Sequence, residues 1–306
     1  MVKKKLEILK PIKGFLAIPD KEGCSYDDAK AVVVPFGLEA SVSYGGGTAN
    51  GPEAMIKASC QVELFDEDLW KEPVWDIGIA TLKKFPVKKK IEAALKDLEA
   101  VTERILIDGK FPLIFGGEHS ITAGSIRPFA KRYKDLVILH FDAHADLRDG
   151  YEGERYSHAA AMRRCLDNKN ISLISCGIRN ISAGEIPFLE ENSRRIKIFW
   201  AKDKADWKMK DILSKLKGRP VYLSFDLDCF DASLMPATGT PEPGGLMWDE
   251  AIRIIKEASK VARIVGADIN ELSPVKDMHY CDFLAAKLAY KILAYAFEGR
   301  GKGQAG

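Results

Sequence analysis

Leu136-Val-Ile-Leu-His-Phe-Asp-Ala-His-Ala-Asp146 begins as an apolar strand and ends in a cluster of carboxylates and an imidazole. An aliphatic run that does not alternate is what a parallel strand covered on both faces requires. Similar runs lie at Ala31–Phe36, Pro112–Phe115, Ile171–Ile178, Ile196–Trp200, Val221–Phe225 and Ala262–Ile269. Helical stripes fall between them. Ile91, Ala94, Leu95, Leu98, Val101 and Ile105 form one, and Ala251, Ile254, Ile255 and Ala258 form another. Phe283, Leu284, Leu288 and Ile292 mark a helix near the C-terminus. Strand–helix alternation without an internal repeat or a Pro/Gly/Ser-rich linker predicts an α/β fold. The expected architecture is a single three-layer α/β/α domain on a mostly parallel sheet, residues 1–306. The Gly-rich, polar end, Glu298–Gly306, is expected to fray.

Composition narrows the partners. The chain has 306 residues, is 46% hydrophobic and carries a formal net charge of +2. It can bury a large core. Near-balanced charge gives no reason to expect nucleic acid or an anionic membrane as partner. The opening Met1-Val-Lys-Lys-Lys5 resembles the start of a signal peptide, but Glu7, Lys10, Pro11 and Lys13 interrupt any apolar stretch after it. No run approaches a membrane span, so the chain reads as cytosolic. Six cysteines, none in a Cys-x-x-Cys pair, read as reduced thiols.

The chemistry gathers where apolar strands end, which is where open α/β sheets bind ligands. Asp142, His144 and Asp146 are spaced by two. They share one face if the strand continues and cluster if it curls. Buried unpaired, these groups would be costly, and a divalent metal removes that cost. Val221-Tyr-Leu-Ser-Phe-Asp-Leu-Asp-Cys229 repeats the pattern with Asp226 and Asp228. An Asp-x-Asp pair alone also makes turns and caps. Beside the first segment it completes four carboxylates, a charge two divalent cations would neutralise. Pro112-Leu-Ile-Phe-Gly-Gly-Glu-His-Ser120 sets His119 at a helix entrance after two glycines that let the backbone approach closely. A single histidine there could cap or pack, but two metals would need one more nitrogen ligand. Oxygen-rich ligation with imidazole suits Mn²⁺, with Fe²⁺, Co²⁺ or Zn²⁺ as substitutes. Two ions roughly 3.5–4 Å apart would hold a bridging hydroxide at neutral pH. In Ile264-Val-Gly-Ala-Asp-Ile-Asn-Glu-Leu-Ser-Pro274, Glu271 stands just past another strand, where it could grip a guanidinium ion.

Gly116-Gly-Glu-His-Ser120, Asp142-Ala-His-Ala-Asp146, Ser224-Phe-Asp-Leu-Asp228 and Asn270-Glu-Leu-Ser-Pro274 resemble, in order, the signatures of the ureohydrolase (arginase/agmatinase) family. Ala237-Thr-Gly-Thr-Pro-Glu-Pro-Gly-Gly-Leu246 resembles a further family segment, and the likeness runs from about residue 30 to residue 295. The resemblance implies an arginase-like fold, two Mn²⁺ as cofactors and a homo-oligomer, trimer or hexamer. One ion would be held by His119, Asp142, Asp146 and Asp226, the other by Asp142, His144, Asp226 and Asp228. It implies hydrolysis of a small guanidino compound to urea and an amine by the bridging hydroxide. Glu271 would orient the guanidinium, supported by Thr240. His158, in Tyr156-Ser-His-Ala159, matches the family's mobile histidine and would shuttle protons, including one to the departing amine.

Substrate choice falls to the loop between Asp146 and His158. It lacks the Ser-x-Asn-x-His pattern of arginases and resembles the agmatinase branch. There Asp149, Glu152 and Glu154 outnumber Arg148 and Arg155 by one charge. That slight acidity favours the terminal ammonium of agmatine, giving putrescine and urea. Either arginine would instead favour a guanidino acid such as guanidinobutyrate, or arginine itself. A two-metal phosphoesterase would want a basic cluster for phosphate, and none lies near these motifs. A non-catalytic relative would not need all six ligands together with His158 and Glu271. Gly45-Gly-Gly-Thr-Ala-Asn-Gly-Pro52 lacks the Gly-Lys-Ser/Thr of a phosphate loop and reads as the lead into a helix near Pro52. By strand alternation His140 is expected to face away from the ligands, either packed or supporting a ligand from behind, His279 to lie at the surface or an interface, and Cys229 to pack.

Overall fold

The apolar runs all become strands of one sheet. The computed structural model describes residues 6–301. Its strands are β1 (Ala31–Phe36), β2 (Ile79–Thr81), β3 (Phe111–Gly116), β4 (Leu136–Phe141), β5 (Ile171–Ile178), β6 (Ile196–Trp200), β7 (Pro220–Asp226) and β8 (Arg263–Asn270). Every pairing is parallel, in the order β2-β1-β3-β8-β7-β4-β5-β6. Parallel pairing demands long crossovers. Helices α1 (Gly51–Ala58), α2 (Pro73–Ile77), α3 (Ile91–Ile107), α4 (Thr122–Arg132), α5 (Ala161–Leu166), α6 (Ile186–Glu191), α7 (Met209–Leu216), α8 (Trp248–Val261) and α9 (His279–Gly301) supply most of them. Leu136, Val137, Ile138, Leu139 and Phe141 of β4 are all fully buried. Each such side chain contributes about 1.5–3 kcal/mol of transfer free energy, which is why no strand face can be polar except where chemistry requires it.

Strand order does the positioning. After β3 the chain leaps three places to β4, runs outward through β5 and β6, and returns to insert β7 and β8 in the two-strand gap. The four central strands are therefore β3, β8, β7 and β4, the same four that end in polar motifs. Register aligns their ends: Phe115 sits opposite Ile269, Asp226 opposite Asn270, and Phe141 opposite Phe225. The carboxyl ends of four adjacent strands thus face one crevice.

Two elements differ from expectation. β2 was not foreseen, because three residues at an edge carry no readable period. The segment expected to fray from Glu298 instead begins inside α9, which continues to Gly301. Gly299 makes this packing feasible, since a Cβ there would run into the Ser259 carbonyl of α8. Residues 302–306 lie outside the described residues. None of the six cysteines is in a disulfide, and Cys165, Cys176, Cys229 and Cys281 are buried. No helix among the described residues is long and apolar enough to cross a membrane.

Candidate metal centre and active site

β4 ends at Phe141 and the chain curls, so Asp142, His144 and Asp146 converge by a loop rather than along a strand. The curl is strained: Asp146 has φ +52°, a left-handed conformation uncommon for a residue with a Cβ. His119 stands opposite, past the Gly116-Gly117 turn. The turn admits no side chain, because a Cβ on Gly117 would collide with the Leu38 carbonyl and one on Gly116 with Asn270 Oδ1. β7 delivers Asp226, whose Oδ1 accepts the Asp228 amide at 3.0 Å; Asp228 Oδ1 in turn accepts the Ala143 amide at 3.0 Å.

Around His119 Nδ1, oxygens of Asp142, Asp146 and Asp226 lie at 3.1, 3.2 and 3.3 Å. Yet Nδ1 makes no hydrogen bond of acceptable geometry, although it is buried. The four groups point at a common centre rather than at one another. His144 Nδ1 lies 3.0 Å from Asp228 Oδ2 and 3.6 Å from Asp142 Oδ1. Asp142, His144 and Asp228 bring ligand atoms close enough to hold one ion, as do His119, His140 and Asp142. This donor set fits divalent cations bound through oxygen and imidazole nitrogen.

Electrostatics point the same way. Burial, then Asp228 and Asp142, push Asp226 well above the usual carboxylate range. Burial and Asp142 raise Asp146 too. Asp142 is opposite: burial opposes its charge, but His119 and His140 hold it well below the usual range. Burial likewise opposes charge on both histidines. Neighbouring carboxylates outweigh it, raising His119 well above its ordinary value and His144 to about 12. Without cations the cluster takes up protons instead. The positive charge this cluster lacks is what metal ions would bring.

His140 supports a ligand as expected but faces it, where the sequence reading had it facing away. Strand alternation puts residues 140 and 142 on the same side, and His140 Nε2 lies 2.8 Å from Asp142 Oδ2. Its Nδ1 is 3.0 Å from Ser175 Oγ, so the ring braces the Asp142 carboxylate from behind. A parallel brace serves His119: its Nε2 is 2.9 Å from Ser224 Oγ, which donates to Asp268 Oδ1 at 2.7 Å. Tyr222 and Thr122 also donate to buried Asp268.

The open side of this cluster is a cleft lined by Asp146, Asp226, Asp228, Glu271, Thr240 and His158 among others. Glu271 has φ +66°. Its Oε1 accepts the His119 amide at 2.7 Å, and burial followed by the neighbouring Glu118 raises its pKa well above normal. His158 is half-buried across the cleft between Ser41 and Ser43. Cys229 is buried, its Sγ 3.5 Å from the Cys176 carbonyl, and His279 is exposed.

Of the loop charges, only Arg148 lines the cleft, its guanidinium 5.1 Å from the Tyr151 ring centroid. Asp149 is turned to Arg164 at 2.7 Å, Glu154 accepts the Tyr156 amide, and Arg155 lies 3.6 Å from Asp167. Net loop acidity therefore carries no weight for substrate choice, because its acids face elsewhere. Besides the aspartates and Glu271, the acid that lines the cleft is Glu185, with Asn180 and Ser182 beside it. It accepts from Leu147 N, Ser182 N and Ser182 Oγ at 2.7–2.8 Å. The sequence reading passed over it, and only its Ser182-x-x-Glu185 capping-box spacing signals it. The Val42–Gly45 stretch also lines the cleft, a contact the sequence reading did not assign.

Residues 29–295 match the family model described as the Arginase family. The chain is 37% identical, over 91% of its length and 92% of the relative's, to N(1)-aminopropylagmatine ureohydrolase of Synechocystis sp.. It is 33% identical to agmatinase of Bacillus anthracis, over 83% and 87%. Among solved structures, agmatine ureohydrolase of Thermoplasma volcanium superposes with a TM-score of 0.82, is 32% identical, and covers 95% of this chain and 96% of its own.

Proposed function

Since the chain belongs to the arginase family, and hydrolyses the C–N bond of a guanidino compound to give urea and an amine, we propose that its substrate is agmatine. The observation that carries the reaction at this site is Glu271, a buried carboxylate lining the cleft beside the four aspartates. A guanidinium is the planar cation such a group pairs with.

In this reading His119, Asp142, Asp146 and Asp226 would hold one Mn²⁺, while Asp142, His144, Asp226 and Asp228 would hold the second. Such a pair, when bound, supplies a water of lowered pKa as nucleophile and electrostatic stabilisation of developing charge. The chain's own residues do the rest. Glu271 draws the guanidinium to the floor of the cleft and fixes its plane; as an anion it also stabilises the positive charge that the guanidine carries in. Asp146 and Glu271, held in strained backbone conformations, give their carboxylates directions a relaxed loop would not. Thr240, on the loop beside the cleft, supports the guanidinium edge. His158, across from Glu271, takes up a proton and returns it to the departing amine nitrogen.

Glu185, in the cleft lining, would pair with the cationic tail of agmatine, and the relatives' names support the same class. A longer tail, as in N(1)-aminopropylagmatine, is a second reading favoured by the 37% identical relative. Arg148 in the lining favours a third, a guanidino acid. The test is urea release by Mn²⁺-loaded protein from agmatine, N(1)-aminopropylagmatine, 4-guanidinobutyrate and arginine side by side. Highest kcat/KM on agmatine supports the proposal. Preference for either of the other amines or acids replaces the substrate while keeping the chemistry. The wider reading also includes a cytosolic homo-oligomer, trimer or hexamer, which light scattering tests.

A further inference from the structure

Glu118 is fully buried beside the cleft and has no role in the reading above. Four donors converge on it. Oε2 accepts the amides of Ala40 and Ser41 at 2.6 and 2.7 Å, and Oε1 accepts the hydroxyls of Ser41 and Ser120 at 2.9 and 2.6 Å. All four contacts are donors, so both of its oxygens act as acceptors. Ser41 is shared with His158: its Oγ lies 3.0 Å from the His158 backbone N and 3.2 Å from His158 Nδ1.

A serine hydroxyl has one proton to give and two lone pairs to fill. The backbone N–H of His158 can only donate, so it takes one lone pair. The one proton then has two claimants, Glu118 Oε1 and His158 Nδ1. A bond to a carboxylate is charge-assisted and roughly twice as strong as one to a neutral ring. The proton goes to Glu118. The second lone pair is left for His158 Nδ1, which must arrive with its own proton. Ser43 Oγ, 3.2 Å from Nε2, can donate to the bare nitrogen on the other side of the ring.

We propose that Glu118, acting through Ser41, is a positioning residue that fixes His158 as its Nδ1–H tautomer and leaves Nε2 as the nitrogen that exchanges protons in the cleft. The arrangement is the carboxylate–imidazole logic of a hydrolase triad with a serine between the two. When Nε2 gains a proton, the charged ring keeps its Nδ1–H toward Ser41 and a carboxylate one hydroxyl away. The catalytic consequence rests on the proton-shuttle role proposed for His158; the tautomer itself does not.

The experiment is imidazole nitrogen NMR of the full chain, grown on isotope-labelled histidine and loaded with diamagnetic Zn²⁺, which accepts the same donor types. It is run in alkaline buffer, where an ordinary imidazole is neutral. His158 is identified by the signals lost in H158Q. The wild type should show a pyrrole-like Nδ1 and a pyridine-like Nε2. In E118Q the amide can donate to Ser41, freeing the serine proton for Nδ1, so the two shifts should exchange places. S41A, which keeps Glu118 and three of its four donors, should move toward the Nε2–H form, and S41T should restore the wild-type pattern. A wild-type His158 protonated at Nε2 overturns the proposal. So does a tautomer that is the same in wild type, S41A and E118Q. The pattern expected here, in a protein that releases urea from no guanidine, would leave the relay standing and remove the functional reading instead.

Discussion

Removing divalent cations should destabilise the protein, and the loss should grow with pH. The four aspartates Asp142, Asp146, Asp226 and Asp228 are buried together, and protons are their only neutralising agent when no ion is bound. Asp226, Asp146 and Glu271 have folded-state pKa values raised by burial and neighbouring acids. A raised group contributes stability that is fully present below its unfolded value, about 4 for a carboxylate, and lost as pH rises through the folded one. Asp142 is lowered, so its contribution is present above that value and is lost only in acid. The raised His119 and His144 keep their protons through neutrality, His144 up to about 12. As pH rises above the unfolded carboxylate value of about 4 the metal-free chain therefore loses stability. Bound ions replace those protons and cancel the loss. An ion at 100 times its Kd contributes about 2.7 kcal/mol, or about 5.4 kcal/mol for two independent sites. With about 2.1 cal/mol/K of unfolding entropy per residue over 306 residues, each kcal/mol moves Tm by about 1.6 °C. Saturating Mn²⁺ should thus raise Tm by roughly 8 °C near pH 8, read by scanning calorimetry with and without chelator. At about pH 5.5 the rise should be smaller. An equal or larger rise in acid would refute the argument that metal and protons compete for one cluster.

Glu271→Gln keeps an acceptor for the His119 amide but removes the charge facing the guanidinium. It should cost about 3 kcal/mol, a fall of roughly 10²-fold in kcat/KM, with the circular dichroism of the wild type; retained activity would assign guanidinium binding elsewhere. Arg148→Ala and Arg155→Ala separate the substrate readings. For an agmatine enzyme both should change kcat/KM by less than about fivefold, whereas a guanidino acid enzyme should lose activity with Arg148→Ala alone, because Arg155 pairs with Asp167 away from the cleft. Gly117→Ala forces a Cβ into the Leu38 carbonyl. The overpacking should cost about 1–3 kcal/mol and lower Mn²⁺ affinity as His119 moves, measured by chemical denaturation and metal titration; unchanged affinity would free His119 from the role assigned to that turn.

The strands were legible because their physics is local. β1, β4, β5 and β6 begin and end where their apolar runs do, since burial on both faces keeps polar residues few along them. β2 is three residues long and so carries no period, while α4 opens on Thr122, Gly124 and Ser125 and holds Pro128, which hide it from a reading by apolar stripes. The polar face of α4 is explained only in three dimensions, where Thr122 and Ser125 reach Tyr222 and Asp268. The metal-ligand candidates were legible for a different reason. Carboxylates at the end of a dry strand are rare enough to demand an explanation, and the strand order could then bring them together. What the sequence left unreadable was where loop side chains turn. Asp149, Glu152 and Glu154 look like a ligand-facing acidic patch in one dimension. Arg164 draws Asp149 away, and Glu185, thirty-odd residues on, occupies the cleft lining instead. Glu118 was quoted within its motif without a role, because nothing in the sequence says that Ser41 lies beside it.

The two strained residues explain how a fold built on apolar strands can hold such a site. Asp146 and Glu271 both have positive φ, a conformation that costs a residue with a Cβ about 1–2 kcal/mol. Each is held by backbone hydrogen bonds from a rigid element. The Asp146 carbonyl accepts the Arg163 amide of α5, and the Glu271 amide donates to the Gly117 carbonyl just past β3, at 3.0 and 2.8 Å. The strain therefore persists because helix and sheet packing over-determine it. Glycine at either position would relieve it, but would remove the carboxylate. The same trade explains why Gly116 and Gly117 lie beside His119: the backbone closes in where side chains are absent, so that the few polar side chains left can meet. The strain at Asp146 and Glu271 falls just past the ends of β4 and β8, while the bodies of those strands supply the apolar burial that sustains it.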